Sequence, residues 1–222
     1  MNRAGHSYPE AWFDPACARC PRLAAFLAEP RVAQPGYHAA PVPPFGPVAA
    51  PLLIVGLAPG MHGANRTGRP FTGDHAGLLL YESLHRLGLA NQPTSTAGDD
   101  GLELLGCRIT NAVKCLPPAN KPTPAEVRNC GQWLAAELAG GRPKVVLALG
   151  RIAHDGVLDA LGLRRSICRF AHGAAHELAG HPLLIDSYHC SRYNTQTRRL
   201  TETMFMEVLA RAAAHAGLGR QP

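Results

Sequence analysis

The chain has 222 residues, of which 46% are hydrophobic, and its formal net charge is +6. This length suits one α/β domain with a sizeable core, and the apolar content excludes a wholly disordered chain. No apolar run approaches the length of a membrane span and no secretory signal pattern is present, so we expect a cytoplasmic protein. The basic balance favours a polyanionic partner.

Two cysteines near the N-terminus, Cys17 and Cys20, form a CxxC motif that can hold one metal ion or cluster. A redox-active CxxC is the competing interpretation, but no strand precedes the motif as a thioredoxin-like unit would require. A short helix is predicted over residues 23–29. Seven prolines then argue against a helix or a central strand over residues 30–51. We interpret this stretch as an ordered, extended wrap, with a flexible linker as the alternative.

A glycine-rich loop follows the apolar run 52–55, which predicts a buried strand of a parallel sheet. A loop of about twenty residues without structure of its own is uncommon unless it has a function. This loop begins at the carboxyl end of a strand, where open α/β sheets bind ligands. Asp74 is placed to cap the helix predicted over residues 75–87.

The remaining sequence predicts three further strand–helix units. Apolar runs indicate the strands, and helix start signals or apolar periodicity indicate the helices: strands 108–115, 144–149 and 182–188, and helices 123–138, 152–161 and 200–212. Residues 162–181 have no regular pattern. We therefore predict a single domain over residues 1–222, a three-layer α/β/α sandwich with a central four-stranded parallel sheet.

A second pair of cysteines, Cys115 and Cys130, has fourteen residues between its members. A short loop between them would bring this pair together after the second strand. Four thiolates, two from each pair, suit either zinc or a [4Fe–4S] cluster, and spacing alone does not choose between them. The three remaining cysteines are interpreted as core or surface thiols: Cys107, Cys168 and Cys190.

Three predicted loops, 56–74, 114–121 and 189–194, project from strand carboxyl ends and must converge on one edge of the sheet. The side chains that would meet there are an aromatic ring, a carboxylate, two amides and an imidazole: Phe71, Asp74, Asn111, Asn120 and His189. This set suits a base that has been flipped out of a nucleic acid, because an aromatic ring stacks on the base and an amide reads its edge. A histidine can donate to a carbonyl oxygen that gains negative charge, and a carboxylate can orient water or stabilise a positive sugar.

The residues GLAPGMHGANRTGRPFTGD (56–74) resemble the first motif of the type-B, or family 5, uracil-DNA glycosylases, and further matches span nearly the whole chain. The resemblance implies hydrolytic removal of uracil and of other deaminated bases, such as hypoxanthine or xanthine, from DNA without a lyase step. It also implies a [4Fe–4S] cluster held by Cys17, Cys20, Cys115 and Cys130.

The resemblance also implies roles for individual residues of the three loops. The catalytic set is Asp74, Asn120 and His189. The base-binding set is Gly56, Leu57, Ala58, Phe71 and Asn111. Asn111 departs from the apolar residue of the type-B pattern and is similar to the uracil-reading asparagine of type-A enzymes, which usually carry an acidic residue at the position of Leu57.

The net positive charge predicts phosphate contacts from basic and polar residues of the same loops: Arg66, Arg69, Arg192, Asn194 and Arg198. We expect a monomer that acts on DNA containing uracil or other deaminated bases. Each candidate residue also has a purely structural interpretation, such as a core anchor for Phe71 or a helix cap for Asp74.

Two interpretations from other functional classes stay open. A non-catalytic iron–sulfur DNA-binding or sensor protein would need the cluster and the basic loops, but not the convergence of the candidate catalytic side chains. A zinc-bearing nucleotide hydrolase would lack the broad visible absorption of an iron–sulfur cluster. A base-release assay separates the first alternative from a glycosylase.

Overall fold

A five-stranded sheet forms the centre of the fold. The structure is a computed structural model that describes residues 9–219. The sheet order is β2-β1-β3-β5-β4, and its strands are β1 (Leu52–Gly56), β2 (Cys107–Asn111), β3 (Val145–Leu149), β4 (Ala175–His176) and β5 (Leu183–Ser187). The first three of these and β5 run parallel, which confirms the four predicted strands.

The sheet differs from the prediction at β4 and at the end of β2. The short strand β4 pairs antiparallel with β5, so the sheet has one strand more than predicted. Two residues are too few to show an alternating apolar pattern, which is why sequence gave no signal for it. Strand β2 ends at Asn111 rather than at Cys115, because the chain bends at residues 112–113.

Helices cover both faces of the sheet, as the three-layer prediction requires. They are α1 (Pro21–Ala33), α2 (Ala64–Thr67), α3 (His75–Arg86), α4 (Pro124–Gly141), α5 (Arg151–Ala160), α6 (Arg192–Gln196) and α7 (Glu202–His215). Alternate residues of β1 point to opposite faces: Leu52 and Ile54 pack with α3 and α7, whereas Leu53 and Val55 pack with α4 and α5. Within residues 9–219 no helix combines the length and apolarity that crossing a membrane requires.

The proline-rich segment before β1 is ordered. Phe45 and Ile109 exchange two backbone hydrogen bonds of 2.8 Å, and the Val42 N–H donates to the Lys114 carbonyl. These contacts confirm an extended wrap and exclude a flexible linker. The exclusion of helix from residue 30 onward was wrong for its first residues, because α1 continues to Ala33 with Pro30 inside it.

Candidate active site and cysteine site

A cavity of about 590 Å³ lies at the carboxyl ends of β1, β3 and β5. A pocket of this size accommodates a ligand larger than a single base. All three predicted loops contribute to its wall, and with them come the three candidate catalytic residues Asp74, Asn120 and His189. Asn120 is exposed on the loop after β2, in the left-handed backbone region with φ of 55°. The predicted convergence of the loops is therefore confirmed.

Asp74 both caps α3 and faces the cavity. Its Oδ1 accepts a 2.9 Å hydrogen bond from the Gly77 N–H. Its Oδ2 lies so close to the loop backbone that a Cβ at Gly63 would be 2.6 Å away, so only glycine fits at that position. Burial raises the pKa of Asp74, and the backbone N–H groups of Gly77 and Ala76 partly counter that rise. The capping role and a chemical role are thus compatible.

His189 follows β5 and is held in place from several directions. Burial lowers the pKa of His189 to about 4, so its ring is neutral at neutral pH and carries one N–H that can donate. The Asn194 side-chain amide donates a 2.8 Å hydrogen bond to the His189 carbonyl oxygen. The His189 ring stacks on Phe71, with ring centroids 5.8 Å apart and an angle of 25° between the planes.

The candidate base-reading residues lie together behind His189. Gly56 and Asn111 are partners in the β1–β2 register. A Cβ at Gly56 would lie 2.6 Å from the Phe71 ring and would also overlap the Asn111 side-chain oxygen, so glycine is required there.

A buried hydrogen-bond network supports the opposite wall of the cavity. Asp186, which is fully buried on β5, accepts hydrogen bonds from His154 Nδ1 at 2.8 Å and from His176 Nε2 at 2.9 Å. Burial opposes the charged form of His154, but the bond to Asp186 and its negative charge raise the pKa of His154 above its ordinary value. The His154 ring packs edge-on against Phe170, a cavity-lining residue. The network therefore fixes part of that wall.

The four cysteines of the two predicted pairs line one small cavity of about 20 Å³. The Lys114 N–H points at the Cys130 sulfur, with 3.2 Å between nitrogen and sulfur. Burial raises the pKa of Cys115 to about 12 and that of Cys130 to about 11, so ionised thiols here need a compensating positive charge. All four cysteines are free of disulfides.

Among the described residues, the four cysteine sulfurs are not gathered around one point as the ligands of a bound zinc ion would be. Zinc–sulfur bonds of about 2.3 Å in a tetrahedron place the sulfurs about 3.8 Å apart. Within residues 9–219, three potential ligand atoms within 4.8 Å of one another occur at His154, His176 and Asp186, whereas no three cysteine sulfurs meet that limit. Both carboxylate oxygens of Asp186 already accept a hydrogen bond, one from His154 and one from His176. These three residues therefore form a hydrogen-bonded network rather than a metal site.

A family profile described as the uracil DNA glycosylase superfamily matches residues 43–213. The chain belongs to the uracil DNA glycosylase superfamily. A Type-5 uracil-DNA glycosylase of Thermus thermophilus is 52% identical over 216 residues, which cover 91% of this chain and 95% of the relative. One of Pyrobaculum aerophilum is 46% identical over 227 residues, which cover 98% and 99%. A Type-4 uracil-DNA glycosylase of Archaeoglobus fulgidus is 35% identical over 138 residues, 62% of each chain.

These relatives confirm the resemblance to family 5 that was drawn from the first motif. Membership of the uracil DNA glycosylase superfamily also agrees with the position of the cavity, since the residues of that motif form one side of it. Leu57 and Ala58, which follow β1, line the cavity directly, whereas Gly56, Phe71 and Asn111 lie deeper.

Arg69 was predicted to contact a DNA phosphate, but the structure buries its side chain. Its side chain is only 3% exposed and forms a 2.6 Å ion pair with Asp100. It also donates to the Gly98 carbonyl oxygen at 2.6 Å, and its guanidinium lies over the Phe45 ring. A buried guanidinium with these partners has no path to a DNA phosphate. The prediction of a phosphate contact was therefore wrong for Arg69. Arg69 instead anchors the first loop to the loop 95–100.

The other predicted DNA contacts stay predictions. Arg192 and Asn194 line the cavity, and Asn194 additionally holds the His189 backbone. Arg66 is half-buried and donates from Nε to the His62 carbonyl oxygen. Arg198 is exposed and has a φ of 55°, in the left-handed region.

Sequence reasoning missed several residues of the cavity wall: Arg151, Ile152, Phe170, Tyr188 and Arg199. A signal existed for the first two, because they directly follow the third predicted strand, whose carboxyl end reaches the same edge of the sheet. Tyr188 was assigned only to the end of a strand. Phe170 lies in the segment without a regular pattern, and its place in the wall depends on packing between distant parts of the chain.

The cysteine site and the active-site cavity share a small apolar cluster. Cys115 and Cys130 pack in this cluster with Leu23 of α1. Ala58 and Ile152 pack against the same cluster and also line the cavity. The position of the N-terminal segment is therefore mechanically connected to the wall of the active-site cavity.

Proposed function

We propose that the protein hydrolyses the N-glycosidic bond of uracil in DNA, after the nucleotide has been flipped into the cavity. The observation that carries this proposal is the joint placement of Asp74 and His189 on one cavity, with Phe71 and Asn111 directly behind the histidine. The Type-5 relatives, which match over nearly the full length of this chain, are uracil-DNA glycosylases, and this supports the same reaction.

His189 serves the leaving base. As the bond from C1′ of the sugar to the base nitrogen breaks, its electron pair moves onto the base and negative charge develops on the carbonyl oxygens. A neutral imidazole donates one hydrogen bond to such an oxygen without giving up its proton. The low pKa of His189 keeps the ring neutral, which suits this role.

Asp74 serves the sugar side of the same bond. Water supplies the oxygen that bonds to C1′, and the Asp74 carboxylate orients that water and accepts its proton. The raised pKa of Asp74 favours proton acceptance. Asn120 lines the same cavity, and its amide is proposed to hold the attacking water with Asp74. The products are the free base and an abasic strand, with no lyase step.

Asn111 sets which bases are accepted. An amide fixed against the edge of a base rejects partners with the wrong donor and acceptor pattern. Asn111 is buried and paired with Gly56 in the sheet, so its amide has little freedom to adapt. We propose uracil as the preferred base, with hypoxanthine and xanthine as further deaminated substrates.

The four cysteines fit a [4Fe–4S] cluster. They line one cavity, and ionised thiols that are this buried require a compensating positive charge nearby, which a metal cluster would supply. Bound there, a cluster with four protein ligands provides no open iron for Lewis-acid chemistry, so its role is structural. It joins the N-terminal segment to the loop after β2 and to α4.

Cys17→Ala should therefore lose iron and stability together. The measurement is iron content per protein, followed by thermal unfolding of the same sample. Cys168→Ala is the matched control, because Cys168 is half-buried and lies outside the cysteine cavity. Full iron content in Cys17→Ala would show that the ligand assignment is wrong.

The protein is proposed to bind DNA as a monomer through the rim of the cavity. Arg192 lies on that rim, and the adjacent Tyr193 exposes 70% of its surface. An exposed aromatic ring beside a flipped nucleotide can fill the gap that the base leaves in the stack. Arg66 and Arg198 are proposed to contact phosphates farther along the strand.

A base-release assay tests the proposed function. An oligonucleotide with one uracil should yield free uracil and a strand that stays intact until alkali cleaves it at the abasic site. The matched oligonucleotide with thymine should yield no base. Folded, iron-containing protein that binds this DNA but releases no uracil would support the non-catalytic DNA-binding alternative.

A further inference from the structure

We propose that Arg199 is a preorganised phosphate-binding residue of the active-site cavity, held in place by Tyr188 and His172 as positioning residues. The inference rests on the proposed function, because the phosphate it would bind is the one beside the flipped nucleotide. Neither Arg199 nor its two supporting residues was among the contacts predicted from sequence.

Arg199 is stacked rather than hydrogen-bonded. Its guanidinium carbon lies 4.6 Å from the centroid of the Tyr188 ring. Tyr188 in turn stacks on His172, with centroids 4.9 Å apart and planes 17° from parallel. A cation–π contact restrains a guanidinium without occupying any of its N–H donors.

The support beneath Arg199 is itself fixed. The Tyr188 backbone N–H donates a 3.1 Å hydrogen bond to His172 Nδ1, which ties the two stacked rings together. Burial and the charge of Arg211 lower the pKa of His172, so its ring stays neutral and Nδ1 remains an acceptor. Phe170, backed by the buried histidine–aspartate network, packs against the Tyr188 ring at 6.1 Å.

The donors of Arg199 have no protein partner within residues 9–219, where the guanidinium forms neither a hydrogen bond nor an ion pair. Arg69 and Arg211 differ in this respect, since the first pairs with Asp100 and the second donates to the Gly173 carbonyl oxygen. Arg199 lines the cavity, so its unused donors are available to a ligand there.

A phosphate is the ligand that this geometry fits. A planar guanidinium presents two parallel N–H groups that match two phosphate oxygens. The cavity wall carries two further arginines, Arg151 and Arg192, against the single carboxylate Asp74. Tyr188, His189 and Arg199 all line this cavity, so the stacked guanidinium borders the space that the flipped nucleotide would occupy. The phosphate next to the flipped nucleotide is therefore its partner.

The test pairs protein variants with single neutral phosphates in the DNA. Duplexes would carry 2′-fluoro-deoxyuridine, which resists hydrolysis, and one methylphosphonate at a time around that nucleotide. One methylphosphonate position should weaken binding of the wild type by about tenfold, the size expected for a charged hydrogen bond. The same position should cost Arg199→Ala almost nothing, because the partner is already gone.

Three further variants separate a specific, supported contact from a general loss of charge. Tyr188→Leu keeps Arg199 but removes its support, so the coupling to that phosphate should weaken, whereas Tyr188→Phe keeps the ring and should preserve it. Arg128→Ala removes an exposed arginine of α4 that does not line the cavity, and should keep the full coupling.

Equal methylphosphonate effects in wild type and Arg199→Ala at every position would overturn the inference. Coupling that persists undiminished in Tyr188→Leu would overturn the positioning role. Uracil release by the wild type on an unmodified duplex is measured in parallel. An enzyme that releases uracil but shows no coupling refutes only the Arg199 inference, whereas one that releases no uracil refutes the proposed function.

Discussion

The loop after β1 and the segment after β5 both bring arginines to the edge of the sheet where the cavity lies, but they use them differently. Arg69 of the first loop is buried, ion-paired with Asp100 and covered by Phe45. Arg199 of the second segment stacks on Tyr188 and keeps its donors unpaired within the described chain. The first arginine stabilises the loop that holds Asp74, and the second is available to DNA.

The comparison shows that positive charge in a loop near a binding site does not by itself indicate a phosphate contact. What decides the role is whether a carboxylate elsewhere in the chain reaches the guanidinium first. Asp100 does so for Arg69, across 31 positions of sequence. The arginine of the loop after β1 therefore makes that loop rigid, whereas the arginine of the segment after β5 is placed to bind the ligand.

The largest effect is expected at the carboxylate that the first loop holds. Asp74→Asn keeps a good helix cap, so the fold should survive. It removes the group that accepts a proton from water, and the single-turnover rate of uracil release should fall by about 10²–10⁴-fold. A variant within threefold of the wild-type rate would remove Asp74 from the chemistry.

The pH dependence of the same variant sharpens this assignment. The pKa of Asp74 is raised, so its ionised form, and with it the activity, is lost as the pH falls through that raised pKa. The acid limb of the rate profile should lie above the ordinary carboxyl range in the wild type and disappear in Asp74→Asn. His189 should add no inflection between about pH 5 and 8, because its pKa is about 4.

The next effect contrasts the buried Arg69 with Arg192, an exposed arginine of the segment after β5, through stability. Arg69→Ala leaves Asp100 without its buried partner and should lower the free energy of unfolding by about 3–5 kcal/mol. Arg192→Ala, at an exposed position, should change it by less than about 0.5 kcal/mol but should reduce the salt dependence of DNA binding by about one phosphate contact. Urea unfolding and binding at several salt concentrations measure both quantities. The reverse pattern would contradict the division between the loops.

The smallest effect is expected on substrate choice. Asn111→Ala should change the ratio of uracil to hypoxanthine release more than it changes the total activity, because the amide reads the base edge without taking part in bond cleavage. Competition between the two bases under single-turnover conditions gives the ratio directly. If the ratio is unaltered, the backbone of the first loop and the shape of the pocket carry the discrimination.

The sequence predicted the parts of the molecule that depend on local signals. The cap at Asp74 and the capping box of Thr123 and Glu126 are both present, and each predicted apolar strand lies in the sheet. The convergence of the three loops followed from parallel topology alone.

The errors arise where the outcome depends on distant contacts. Burial of Arg69 depends on its ion pair with Asp100, and no local sequence pattern predicts that pair. The aromatic wall combines Phe170 with Tyr188, which come together through β4, β5 and the buried network behind them. Helix α1 tolerates Pro30 inside it and buries that proline together with Leu23 and Leu27.

The most direct test of the proposed chemistry compares two leaving groups in two variants. The fluorine of 5-fluorouracil makes that base a better leaving group than uracil, so its departure needs less help from a hydrogen-bond donor. On uracil, His189→Ala should lose about a hundredfold or more in single-turnover rate. On 5-fluorouracil, that loss should shrink clearly, whereas the loss in Asp74→Asn should stay the same. A loss in His189→Ala that is equal for both bases would contradict the assignment of His189 to the leaving base.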